Sequence, residues 1–232
     1  MYNLFRSVCA YLSRPALVRI TIPEQPYQLL AKLTIICFFA GISGGVLSGM
    51  LVSAGIIPDP GPNVLDQDSL SRTAFFFAAV LFAPILEESI FRAQLRRFSG
   101  GIIFIAFTCG LILTAVFHTA WAFLVSPFIF CLLFIIYRFT LAGSISRKFK
   151  FWQLLFPWHF HFTALCFALV HLSNYEKGIS LLPLGILYTL PQLAIGLILG
   201  YTRMNYGLKY SMLLHGLYNL SLSLLFLARL KS

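Results

Sequence analysis

Apolar and polar residues do not alternate along this chain; they come in blocks. Apolar runs occupy about 30–57, 72–95, 101–118, 121–139, 160–176, 179–201 and 210–229, with short polar gaps between them. Each run has the length of a membrane span, because about 20 helical residues cross the hydrocarbon layer. No stretch carries strand periodicity, and in lipid a helix satisfies its own backbone hydrogen bonds. The pattern predicts an all-α fold, a polytopic transmembrane helical bundle of about seven spans with amphipathic interfacial segments.

The stretch 101–139 is too long for one span and is broken only by His118, Thr119 and Trp121. It reads as a helical hairpin inserted into a single integral membrane domain covering residues 1–232. Residues 143–158, GSISRKFKFWQLLFPW, read as a connection lying along the membrane face, with Trp121, Trp152 and Trp158 as interfacial anchors. Residues 1–29 read as a cytosolic interfacial segment, with no signal-peptide cleavage pattern. PDPGPNVLDQDS (58–69) reads as an acidic turn on the opposite side. Gly41, Gly44, Gly45 and Gly49 have the spacing of small-residue helix packing.

Composition agrees with this picture. The 232 residues are 59% hydrophobic and 10% charged, more apolar surface than one soluble core could hide. The net charge of +10 is spread over the gaps: Arg6, Arg14, Arg19 and Lys32, then Arg92, Arg96 and Arg97, then Arg138, Arg147, Lys148 and Lys150. That is the positive-inside pattern. It makes membrane lipids the partner of the basic residues, in place of nucleic acid, and sets the N terminus in the cytosol. A 232-residue chain with short loops reads as prokaryotic, which makes it an integral protein of the bacterial inner membrane. Cys9, Cys37, Cys109, Cys131 and Cys166 form no CxxC pair, hence neither a disulfide framework nor a thiolate metal cluster.

Glu87 and Glu88, in LEESIFR (86–92), are the acidic residues that fall inside a span. Glu88 and Arg92 are four apart, so a helix pairs them, acid first. Glu87 points about 100° away and has no local partner. His171 lies in CFALVHL, and His215 and Asn219 share a helical face in SMLLHGLYN. A carboxylate, two imidazoles and an amide on three helices could hold a water, a general base and oxyanion donors. Each residue alone also reads as a polar group gluing helices together, in a non-catalytic scaffold, or as part of a proton or ion relay in a transporter.

Together these residues match three motifs in order: EExxxR at Glu87, Glu88 and Arg92, FxxxH at Phe167 and His171, and HxxxN at His215 and Asn219. The chain thereby resembles the CPBP family, the CAAX-protease and bacteriocin-processing intramembrane proteases, over residues 72–229. The resemblance implies that Glu87 and His171 activate a water against a peptide carbonyl. It implies that His215 and Asn219 hold the oxyanion, and that Glu88, Arg92 and Phe167 support them. The substrates it implies are peptides or membrane proteins, prenylated tails or leader peptides among them. One departure is the 83 residues between Glu88 and His171, more than the family usually has; the hairpin accounts for roughly half. No HExxH is present, so a metal-free mechanism without cofactor is expected. His118, His159 and His161 fall at predicted span ends and read as interfacial histidines.

Overall fold

A computed structural model describes residues 1–64, 71–117, 119–141 and 143–229. His118 and the second half of the 58–69 turn therefore lie outside the described residues. Among those described there is no strand, only an isolated bridge between Asn63 and Tyr175. Helix α1 (Tyr2–Ser13) precedes α2 (Pro26–Ser53), whose first position is proline, where the missing N–H has no intrahelical partner to lose. Helix α3 (Arg72–Phe77) starts at Ser71, whose hydroxyl accepts from the Ala74 N–H. It passes through a π-helical turn (Ala78–Phe82) into α4 (Ala83–Phe91) and a 3-10 turn (Ala93–Arg96). Helices α5 (Phe98–Phe117) and α6 (Val125–Ile136) pack against each other as a pair. Helix α7 (Ile145–Val170) ends in a 3-10 turn, His171–Asn174. A 3-10 segment (Gly178–Leu184) and the short α8 (Gly185–Tyr188) lead into α9 (Leu190–Tyr206). Gly207, at a positive φ of 101°, turns the chain into α10 (Leu208–Arg229).

Among the described residues five helices are long and apolar enough to cross a bilayer: Pro26–Ser53, Thr73–Arg96, Phe98–Phe117, Ala120–Phe139 and Ile145–Asn174. They make this an integral membrane protein. The run expected at 160–176 is longer than its hydropathy suggested, because the basic stretch before it is helical too. Residues 145–158 form the first half of α7 and not a separate interfacial connection, and Pro157 sits within the helix. Trp152 is accordingly no interfacial anchor. It is buried against Phe98, Phe156 and His159, whereas Trp121 and Trp158 are exposed.

The expected run at 179–201 begins as 3-10 coil, and α9 itself has only 17 residues, about 25 Å of rise. It does not need to reach both interfaces by itself, because α1, α2, α7 and α10 pack around it. Two glycines make the α7 contact close. A Cβ at Gly200 would meet the Phe160 ring at 2.7 Å, and one at Gly196 would meet Phe167 at 2.9 Å. On α2, a Cβ at Gly41 would strike the Tyr218 hydroxyl and one at Gly44 the backbone of Pro191, while Gly49 faces open space. The small-residue stripe is thus a contact at two of its four positions and lies looser at Gly45 and Gly49.

At one end of the bundle, arginines close the helix termini. Arg96 donates to the carbonyls of Met204 (2.9 Å) and Val18 (2.8 Å), and Arg203 to that of Arg92 (3.0 Å). The Met204 and Arg92 carbonyls lie at helix ends and Val18 O belongs to the segment between α1 and α2; carbonyls there need such donors, and these side chains serve them in place of lipid headgroups. At the other end the Tyr188 hydroxyl donates to Pro58 O, and the N–H groups of Glu176 and Lys177 donate to Pro62 and Pro60. That knot fixes the turn that follows His171.

Candidate active site

The three motif helices meet. α4 supplies Glu87 and Glu88, with Arg92 capping its end; α7 supplies Phe167, with His171 capping its end; and α10 supplies His215 and Asn219. A π-helical turn and a glycine allow it. The π-helical turn in Ala78–Phe82 adds a residue to the helix and rotates everything after it, α4 included. α10 then lies close against that turn. A Cβ at Gly216 would be 3.0 Å from Val80 O, and the Asn219 amide donates to Ala79 O at 2.8 Å.

Glu88 is fully buried and fully engaged. Arg92 Nη1 lies 3.2 Å from its Oε1, off the hydrogen-bonding direction, so that pair is held by Coulomb attraction. The His215 Nδ1–H donates to the same oxygen at 3.1 Å. The Ser211 hydroxyl donates to Oε2, with Leu199 O 3.0 Å away competing for the proton. The guanidinium of Arg92, itself 1% exposed, stacks 3.8 Å over the Phe167 ring and donates to Gly196 O. A buried guanidinium needs partners on all sides, and here a carboxylate, an aromatic face and a carbonyl provide them.

Glu87 is different. Its side chain is about a quarter exposed, and its Oε2 is buried without a hydrogen-bond partner. The Nε2 atoms of His171 and His215 both lie 3.9 Å from that oxygen. Both rings are oriented from the far side. The His171 Nδ1–H donates to Phe167 O at 2.7 Å, and His215 points its Nδ1–H at Glu88. In the neutral rings each Nε2 is therefore a lone pair directed at a carboxylate. Phe167 packs edge-on against both imidazoles. A molecule bridging Glu87 Oε2 and either Nε2 must bring protons of its own, as water does.

His159 is not interfacial. It is buried, with its Nε2–H on Gln94 Oε1 at 2.5 Å, and Gln94 in turn donates to Phe91 O and Thr163 Oγ1. This clamp ties the end of α4 to α7 one to two turns from the carboxylates. Ser211 could have been read from the sequence, since it extends the His215–Asn219 stripe back by four residues. Gly196, Gly216 and the Gln94–His159 pair carry no such pattern. Among the described residues no three His, Cys, Asp or Glu side chains are disposed to hold a metal ion, and every described cysteine is free.

No curated protein and no solved structure matches the chain. A family model does: residues 135–221 match Rce1-like, described as Type II CAAX prenyl endopeptidase. That stretch contains Phe167, His171, His215 and Asn219. Glu87, Glu88 and Arg92 lie upstream of it and join the same cluster only through the fold. Over that stretch, less than half of its length, the chain is similar to a family of CAAX-type proteases.

Proposed function

We propose that the chain is an intramembrane endopeptidase of the glutamate type, in which a water held between Glu87 and His171 attacks a peptide carbonyl. One observation carries the reading: Glu87 Oε2, buried and unpaired, stands 3.9 Å from the Nε2 of both histidines. A polar residue that merely glues helices is satisfied by its neighbours, as Glu88 is. Glu87 is left with acceptor capacity that a reactant can use.

The chemistry follows from the tautomers. A water between Glu87 Oε2 and His171 Nε2 donates one proton to each, which turns its lone pair toward a substrate carbonyl. As the new C–O bond forms, one proton moves to this pair and later passes to the leaving amine nitrogen. His215 in its protonated form keeps Nδ1–H on Glu88 and offers Nε2–H to the oxyanion. Asn219 has a second amide N–H beyond the one on Ala79 O. With one proton on the histidine pair, the charges of Glu87, Glu88, Arg92 and imidazolium sum to zero, which suits a buried site. The substrate class is a peptide or membrane-protein segment, such as a prenylated CAAX tail or a leader peptide, cleaved in a cavity facing the cytosol of a bacterial inner membrane.

The test is cleavage of a quenched-fluorescent prenylated CAAX peptide by the protein in lipid vesicles, with and without chelator. Glu87→Gln and His171→Ala should each abolish turnover while the protein still inserts and unfolds cooperatively. Turnover retained in either variant removes the mechanism. Loss of activity in chelator, restored by zinc, replaces the metal-free version.

A further inference from the structure

A second buried oxygen near the site lacks a partner: Oε1 of Gln192 on α9. Its place follows from helix geometry. Steps of about 100° per residue put Gln192, Gly196 and Arg203 on one face of α9, within about 40° of each other. That face looks at α4, because Gly196 O accepts from Arg92 and Arg203 donates to Arg92 O. α7 and α9 run antiparallel: Phe160 abuts Gly200, and Phe167 and Ala164 O abut Gly196. One turn further along each helix sets Ala168–His171 opposite Gln192. Counting on α10 from Leu199, beside Ser211, brings His215 and Asn219 to either side of the same level. Gln192 therefore stands on the wall of the site, between the helices that carry the two histidines.

The groups converging there are largely acceptors. Glu87 Oε2 and Gln192 Oε1 are buried without partners, and a neutral imidazole adds an Nε2 lone pair. Water can serve the Glu87–His171 pair. An amide oxygen one helical turn from Gly196 requires a further donor, and a peptide in extended form presents a backbone N–H about one residue from its scissile carbonyl. Resting on the peptidase reading above, we infer that Gln192 is a substrate-binding residue whose Oε1 accepts a backbone N–H of the peptide close to the scissile bond.

The experiment separates this from turnover. A fluorescein-labelled, S-prenylated CAAX peptide is titrated into the Glu87→Gln protein with Gln192 intact or replaced by Met, which keeps shape and removes both amide functions. The titrations are repeated with the peptide N-methylated at each backbone nitrogen around the cleavage point. With Gln192 present, one N-methyl position should weaken binding about tenfold. In Gln192→Met the unmodified peptide should bind about tenfold more weakly, and that N-methyl group should add nothing. Gln192→Glu, which keeps an acceptor, should retain the N-methyl penalty and serves should the Met variant not fold. In the active protein Gln192→Met should raise KM about tenfold and leave kcat within about twofold. Parallel N-methyl profiles with and without Gln192, or a loss confined to kcat, overturn the assignment. An absence of cleavage by the native protein sinks the peptidase reading, while the binding series still decides whether Gln192 holds a peptide.

Discussion

Glu87 and Glu88 are neighbours in the chain with opposite circumstances. Glu88 meets Arg92, His215 and Ser211, whereas Glu87 faces two imidazoles across 3.9 Å. A helix turns successive side chains about 100° apart, so adjacent acids can serve separate ends: one holds helices together and the other, in the mechanism proposed, does chemistry. Removing Arg92 alone should be severe, because it strands a fully buried carboxylate. Arg92→Met is expected to lower unfolding stability by about 3–5 kcal/mol. Joining it to Glu88→Gln should recover part of that loss, since the uncompensated charge is gone. Unfolding of the detergent-solubilised variants measures this, and additive losses would show that the pair is not coupled. These acids and the motif histidines were legible as residues. Ser211 was nearly so, by its four-residue spacing to His215.

At the scale of the element, glycines and irregular turns decide how closely helices approach. Gly196 lets Phe167 and Arg92 press against α9, so Gly196→Ala should overpack that contact and cost about 1–3 kcal/mol. Gly49→Ala meets nothing within 4 Å and removes backbone freedom from a helix interior. It should therefore stabilise by up to about 1 kcal/mol. The two changes are chemically identical, and thermal unfolding that shifts them in the same direction would refute the packing assignment. The Asn219–Ala79 bond binds α10 to the π-helical turn. Deleting Ile85, in the regular helix between that turn and Glu87, should swing Glu87 about 100° away from the histidines and abolish cleavage without loss of membrane insertion. Hydropathy predicted the first four runs well. It misplaced the start of α7, because Arg147, Lys148 and Lys150 mask a stretch whose Trp152 and Phe156 are buried.

The whole molecule is a bundle built around a short, buried α9, with apolar side chains turned outward along the spanning helices. Cysteines report this arrangement. Cys9 is exposed on α1, Cys131 is exposed within a spanning helix, and Cys37 and Cys166 are buried. In vesicles a membrane-impermeant maleimide should label Cys9 from the side that holds the N terminus, and a lipid-soluble one should also reach Cys131. Cys37 and Cys166 should react only after denaturation; their ready labelling in the folded protein would contradict the packing. The sequence by itself determined that the chain lies in a membrane, that it is helical, and which polar residues lipid makes conspicuous, because hydropathy and the penalty for buried charge are local properties. Only the tertiary structure decided that Glu87 faces both histidines while Glu88 is consumed by Arg92, His215 and Ser211. Those relations depend on helix rotation and depth, which a π-helical turn and a handful of glycines set between residues up to 128 positions apart.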